Sequence, residues 1–141
     1  MMSHRFILKI IPKSIQSGNR IGIGKGGKAR FFSSAKKDNY VATVAALSSK
    51  FAPDEPSLGA IRLDLVFILP RPKNLMRKCD PDGLIYHTKR PDRDNLVKGT
   101  QDGLSSAGFW VDDAQICAGE LSKFYAEKNG QPRIEVTIQE L

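Results

Sequence analysis

The chain has 141 residues, enough for one domain with a core of its own, and its 40% hydrophobic and 26% charged residues fit an ordinary globular fold. A formal charge of +7 points to a polyanionic partner. Cys79 and Cys117 form no CxxC pair, which argues against a zinc site and a disulfide framework; the opening stretch MMSHRFILKIIPKS lacks a cleavage site, and no apolar run reaches membrane-spanning length, so a cytoplasmic protein with no membrane partner is expected.

Residues 5–11, RFILKII, are dense in branched apolar side chains and read as a first strand. Residues 20–32, RIGIGKGGKARFF, read as two short extended arms around a glycine-rich turn. Ser33 or Ser34 then caps a helix over about 35–50 with Val41, Val44, Ala45 and Ser48 along one face, and Pro53 and Pro56 end it. In AIRLDLVFIL, residues 60–69, Ile61, Leu63, Leu65, Phe67 and Leu69 recur at period two, the mark of a strand with one buried face. Four prolines (Pro70, Pro72, Pro81 and Pro91) and six basic residues (Arg71, Lys73, Arg77, Lys78, Lys89 and Arg90) make 70–91 a mobile basic loop beside a functional site. Helical spacing returns over 94–107, with Leu96, Thr100, Gly103, Leu104 and Ala107 on one face and Gly108 as the C-cap. Residues 114–126 and 133–139 read as two strands joined by EKNGQP, the second with Ile134, Val136 and Ile138 alternating against polar neighbours. The order β, hairpin, α, β, loop, α, β, β predicts a single α+β domain over 1–141, one mixed sheet with two main helices packed on it.

Charge is unevenly spread: residues 1–50 carry +9, 51–91 carry +2 and 92–141 carry −4. Residues 90–113, RPDRDNLVKGTQDGLSSAGFWVDD, gather five aspartates. Carboxylates that repel one another are costly to gather unless a cation sits among them. Asp94 lies at or near a helix N-cap, a position that accounts for one aspartate by itself. Asp92 is not explained that way; in an extended segment residues two apart project to one side, so both carboxylates reach one ion. Asp94, Lys98 and Asp102 share a stripe opposite the apolar face. Spacing leaves two readings open: a surface ion-pair ladder worth a few tenths of a kcal/mol per pair, or Lys98 as an electrophilic or proton-handling partner of the carboxylates. Of Asp112 and Asp113, adjacent on extended chain, one reaches the site. Three carboxylates without a histidine cluster call for Mg²⁺ or Mn²⁺ rather than zinc.

GIGKGG at 22–27 fits GxGxxG literally and nearly fits a phosphate loop. Ala29 stands where the Mg²⁺-binding Ser or Thr belongs, and no acidic residue follows at ribose-contact spacing, so no nucleotide cofactor is expected. Lys25, Lys28 and Arg30 on this hairpin fit contacts to a phosphate backbone, and a merely flexible basic loop fits as well. Arg77, Lys89 and Arg90 extend the DNA-binding set. His4 and His87 stand alone, with no triad partners.

Asp92-Arg93-Asp94-Asn95-Leu96, then Lys98, Asp102-Gly103-Leu104 and Asp112-Asp113 before a strand, resemble the signature of RusA-type Holliday junction resolvases, many of them encoded by phages and prophages. The resemblance implies a homodimeric, Mg²⁺-dependent endodeoxyribonuclease that resolves four-way DNA junctions by paired symmetric nicks in recombination and repair, within a prokaryotic or phage-infected cell. It implies that Asp92, Asp94 and Asp113 bind the metal and that Lys98 is the essential basic residue, with Asn95, Asp102 and Asp112 in support. The 70–91 loop and the glycine-rich hairpin depart from the family pattern. Two other readings stand beside this one: a non-catalytic basic DNA-binding module, and a nuclease for other branched or flap DNA.

Overall fold

A computed structural model of the protein describes residues 2–15, 20–23, 29–32 and 35–141. In chain order the elements are β1 (Ser3–Leu8), β2 (Arg20–Ile23), β3 (Ala29–Phe32), α1 (Ala35–Ser48), β4 (Ile61–Leu69), β5 (Ile85–Tyr86), α2 (Arg93–Ala107), β6 (Ile116–Ala118), β7 (Leu121–Tyr125) and β8 (Arg133–Glu140). The period-two residues of β4 are all buried, making this strand the spine of a mixed sheet. On one side β4 pairs antiparallel with β8, which pairs antiparallel with β1; on the other it pairs in parallel with β6 and β7, and β7 carries β5 at the edge. Strands β2 and β3 form a separate two-stranded sheet. The α+β class with two helices and one main mixed sheet is thus as expected. The glycine turn with Lys25 and Lys28, and the serines read as a helix cap, lie outside the described residues.

The strand expected over 114–126 is divided, because Gly119 sits at φ +139 and a Cβ there would stand 1.8 Å from the Leu63 carbonyl oxygen. Side-chain-bearing residues rarely adopt that conformation, so the chain steps past β4 here and resumes pairing at Leu121 opposite Leu65.

Helix α1 buries Tyr40, Val44 and Ser48, with Val41 and Ala45 only half-buried. It meets α2 across two glycines: a Cβ on Gly99 would lie 3.0 Å from Tyr40, and one on Gly103 2.5 Å from Val44. Each glycine costs roughly 1 kcal/mol of helix propensity against alanine, offset here by the close approach. The buried Tyr40 and Thr100 hydroxyls, 3.2 Å apart, satisfy each other, and Thr100 also donates to the Leu96 carbonyl. Phe6, Leu65, Val136, Leu96 and Leu104 close the core between helices and sheet.

Segment 70–91 carries a 3₁₀ turn at Lys73–Leu75 and the short β5. Arg71 is its hub, donating to the carbonyls of Leu75 at 2.8 Å, Gly83 at 3.2 Å and Pro81. Lys128 closes it from outside, donating to the Arg77 carbonyl and pairing with Asp82.

Candidate active site

Helix α2 begins at Arg93, two residues after Pro91 and one before Asp94. Proline disfavours helix in the residue before it, which keeps Arg90 out of the helix. The N-cap is Asp92, in extended geometry at φ −74 and ψ 152, with its carbonyl accepting from the Leu96 amide at 3.2 Å. Asp94 lies near this cap, as its position predicts, but inside the first turn, and the cap itself is Asp92. The Asp92 side chain makes no capping bond, and among the described residues neither it nor Asp94 enters an ion pair. Both are exposed, at the helix end whose free N–H groups favour negative charge. One turn on, Lys98 is exposed, its Nζ 3.9 Å from Asp102 Oδ1. Asn95 is half-buried and its carbonyl accepts from the Ile15 amide.

The second aspartate pair follows the other end of α2. Gly108, at φ +94, ends the helix and turns the chain into buried Phe109 and Trp110. The Trp110 indole N–H is buried and needs an acceptor; Asp113 Oδ1 supplies it at 2.7 Å. Asp112 caps a 3₁₀ turn over Asp113–Gln115, its Oδ1 accepting from the Ala114 amide, while Gln115 Oε1 accepts from the Asp112 amide. Gln115 Nε2 donates in turn to the carbonyls of Ser57 and Gly59.

At about 1.5 Å of rise per residue, the 15 residues of α2 set its ends roughly 22 Å apart. The two pairs therefore occupy opposite ends of one rod, and among the described residues no three His, Cys, Asp or Glu side chains come together as a metal site. The donor set of the first pair still suits Mg²⁺. Both are carboxylates with no ion pair among the described residues, and Mg²⁺ is commonly held by one or two carboxylates, water and substrate phosphate.

The segment leading into Asp92 is held by residues with no signal in the sequence. Lys123, on β7, accepts from the His87 amide through its carbonyl at 3.1 Å. Its Nζ donates to the carbonyls of Lys89 at 2.6 Å and Pro91 at 2.7 Å. Arg93 Nη1 donates to the Leu121 carbonyl at 2.9 Å. Burial, and then the Lys123 charge, hold the His87 imidazole below its usual pKa. Among the residues expected to touch DNA, Lys89 and Arg90 are exposed, and Arg77 is exposed while pairing with Asp80 at 3.3 Å. Arg30 lies on β3, opposite Gly22.

Comparison with known proteins places this chain among enzymes that cleave DNA. The family described as Endodeoxyribonuclease RusA matches residues 12–139, and the chain belongs to it. This sets aside the reading as a non-catalytic binding module. A Bacillus subtilis (strain 168) protein named Uncharacterized protein YqaN is 31% identical over 137 residues, covering 94% of each chain. The Crossover junction endodeoxyribonuclease rusA of Enterobacteria phage 82 is 45% identical over 53 residues, covering 38% of this chain and 42% of that protein. The same figures hold for the protein of that name from Escherichia coli (strain K12). Among the described residues, no helix is long and apolar enough to cross a membrane.

Proposed function

We propose that this protein is a Mg²⁺-dependent, homodimeric endonuclease that resolves four-way DNA junctions by paired symmetric nicks during recombination and repair. The observation that carries this reading is the exposed pair of carboxylates, Asp92 and Asp94, unpaired among the described residues at the start of α2 in a chain of the RusA family. Similarity to relatives named crossover junction endodeoxyribonucleases supports the choice of a junction over other branched DNA.

Asp92 and Asp94 would hold the ion through their carboxylate oxygens, and a bound Mg²⁺ would supply Lewis-acid chemistry at the scissile phosphate and its attacking water. Lys98, one turn beyond Asp94 on the same stripe, brings positive charge to the phosphate oxygens as the transition state forms. Asp113 stands beyond the far end of α2, so in this reading a second copy supplies it, and the two-fold axis that builds two sites also matches a nearly symmetric junction. Lys89, Arg90 and Arg77, with Lys25, Lys28 and Arg30 of the hairpin, hold phosphates along the arms.

The test is incubation with labelled four-way junction, flap and linear duplex, with and without Mg²⁺. Paired nicks confined to the junction and to Mg²⁺ are expected, and Asp94→Asn should lose cleavage by on the order of 10³-fold while still binding the junction. A fully active Asp94→Asn protein would sink the assignment, and preferred cleavage of the flap would redirect it to another branched substrate.

A further inference from the structure

We infer that Lys123 is a positioning residue of the nuclease site: a clamp on β7 that fixes the segment from which Asp92 and Asp94 project. The inference rests on the metal-nuclease reading for its catalytic consequence, and on geometry for the clamp itself. Lys123 bonds three alternate residues of 87–91: its carbonyl takes the His87 amide, and its ammonium donates to the Lys89 and Pro91 carbonyls at 2.6 and 2.7 Å. Two residues away on the same strand, the Leu121 carbonyl takes the Arg93 guanidinium at 2.9 Å. One strand therefore grips positions 87, 89, 91 and 93, the whole approach to the N-cap.

The ordinary role of a lysine on a strand is a solvated charge or an ion pair. Lys123 does neither: it is half-buried, and among the described residues no carboxylate pairs with it. Its ammonium donates to two backbone carbonyls instead, and a charged donor makes these bonds stronger than neutral ones. The carbonyl nearest the site belongs to Pro91, one peptide before Asp92. Without the clamp, nothing else described on this strand fixes the residues from Lys89 to Pro91, and the angle at which the Asp92 carboxylate leaves the helix end becomes free to vary. Small misplacements of a ligand are expensive in metal sites, where losing a group that orients a ligand typically costs 10–100-fold.

Two variants test this. In Lys123→Met, kcat on saturating junction should fall by about 10–100-fold, the Mg²⁺ concentration for half-maximal cleavage should rise, and junction affinity should stay near wild type. Lys123→Arg, which keeps charged donors, should restore most of the rate. Hydrogen exchange gives a reading that needs neither metal nor DNA: the Leu96 amide, bonded to the Asp92 carbonyl, should exchange faster in Lys123→Met, with the Phe109 amide at the far end of α2 unchanged. Wild-type kcat, Mg²⁺ dependence and Leu96 exchange in Lys123→Met would overturn the proposal, as would a loss lying wholly in junction affinity, which would make Lys123 a DNA contact. If the methionine variant does not fold, Lys123→Gln carries the same expectations. If the wild-type protein shows no Mg²⁺-dependent cleavage, that failure belongs to the nuclease reading, and Leu96 exchange alone then decides the clamp.

Discussion

The two ends of α2 each present two aspartates, and they use them in opposite ways. At the C-terminal end both are engaged locally: Asp113 takes the Trp110 indole N–H, and Asp112 caps the turn that follows. At the N-terminal end neither Asp92 nor Asp94 is engaged among the described residues, although Asp92 occupies the cap position, where an aspartate usually accepts a backbone N–H. An unspent capping capacity forgoes roughly 1 kcal/mol, and two unbonded carboxylates at one helix end repel each other. Proximity in sequence to a motif therefore does not separate function from structure. What the carboxylate oxygens already bond does.

That contrast breaks most readily at Asp113, which belongs to both sides: it is bonded to Trp110 and is also a proposed metal ligand. Asp113→Asn keeps an oxygen to accept the indole N–H and removes the charge. If the carboxylate serves the metal, cleavage falls by on the order of 10²–10³-fold while the melting temperature moves little. Cleavage at the wild-type rate would leave Asp113 as the acceptor for Trp110 alone. A mixture of inactive Asp113→Asn and inactive Asp94→Asn chains would sharpen the point further, since a dimer sharing its site between copies regains one intact centre.

The separation of the two pairs depends on α2 being a rigid rod seated against α1. Gly103→Ala probes the seat. On propensity alone alanine would stabilise the helix by about 1 kcal/mol, but its Cβ would lie 2.5 Å from Val44 Cγ1 and 3.0 Å from the Val41 carbonyl. Backbone cannot yield as a side-chain tip can, so overpacking wins and a net loss of about 2 kcal/mol is expected in denaturant unfolding. A stabilised variant would show that the helices part easily and that the distance between the pairs is not fixed by packing.

Local patterns carried the parts of this molecule that short stretches determine. The period-two residues of β4 and β8, the apolar stripe of α2 and its Gly108 cap were legible because a few neighbouring residues settle each. The aspartate segment was legible for the same reason. Features decided by distant chain were not. The break between β6 and β7 answers to the Leu63 carbonyl beside Gly119, and Lys123 gains its role only because β7 lies against the chain entering Asp92. Nothing at position 123 distinguishes that lysine from one in solvent. The stripe of Asp94, Lys98 and Asp102 left two readings open; a 3.9 Å contact between Lys98 and Asp102, with 45% and 27% of the side chains exposed, supplies at most a few tenths of a kcal/mol, so stability does not account for Lys98.

Asp112 offers the smallest effect and the cleanest control. Its carboxylate accepts the Ala114 amide at 2.9 Å in a capping box closed by Gln115, and it is exposed. Asp112→Ala should therefore cost about 1 kcal/mol, a typical value for a lost cap, lowering the melting temperature by about 3 °C in a chain of this size. Junction cleavage, measured well below that transition, should remain within about twofold of wild type, since the rate follows only groups that act in the transition state. Adjacent aspartates would then separate by assay, Asp112 in melting and Asp113 in cleavage. A large loss of cleavage in Asp112→Ala without a shift in melting would reverse that assignment and move the metal ligand by one residue.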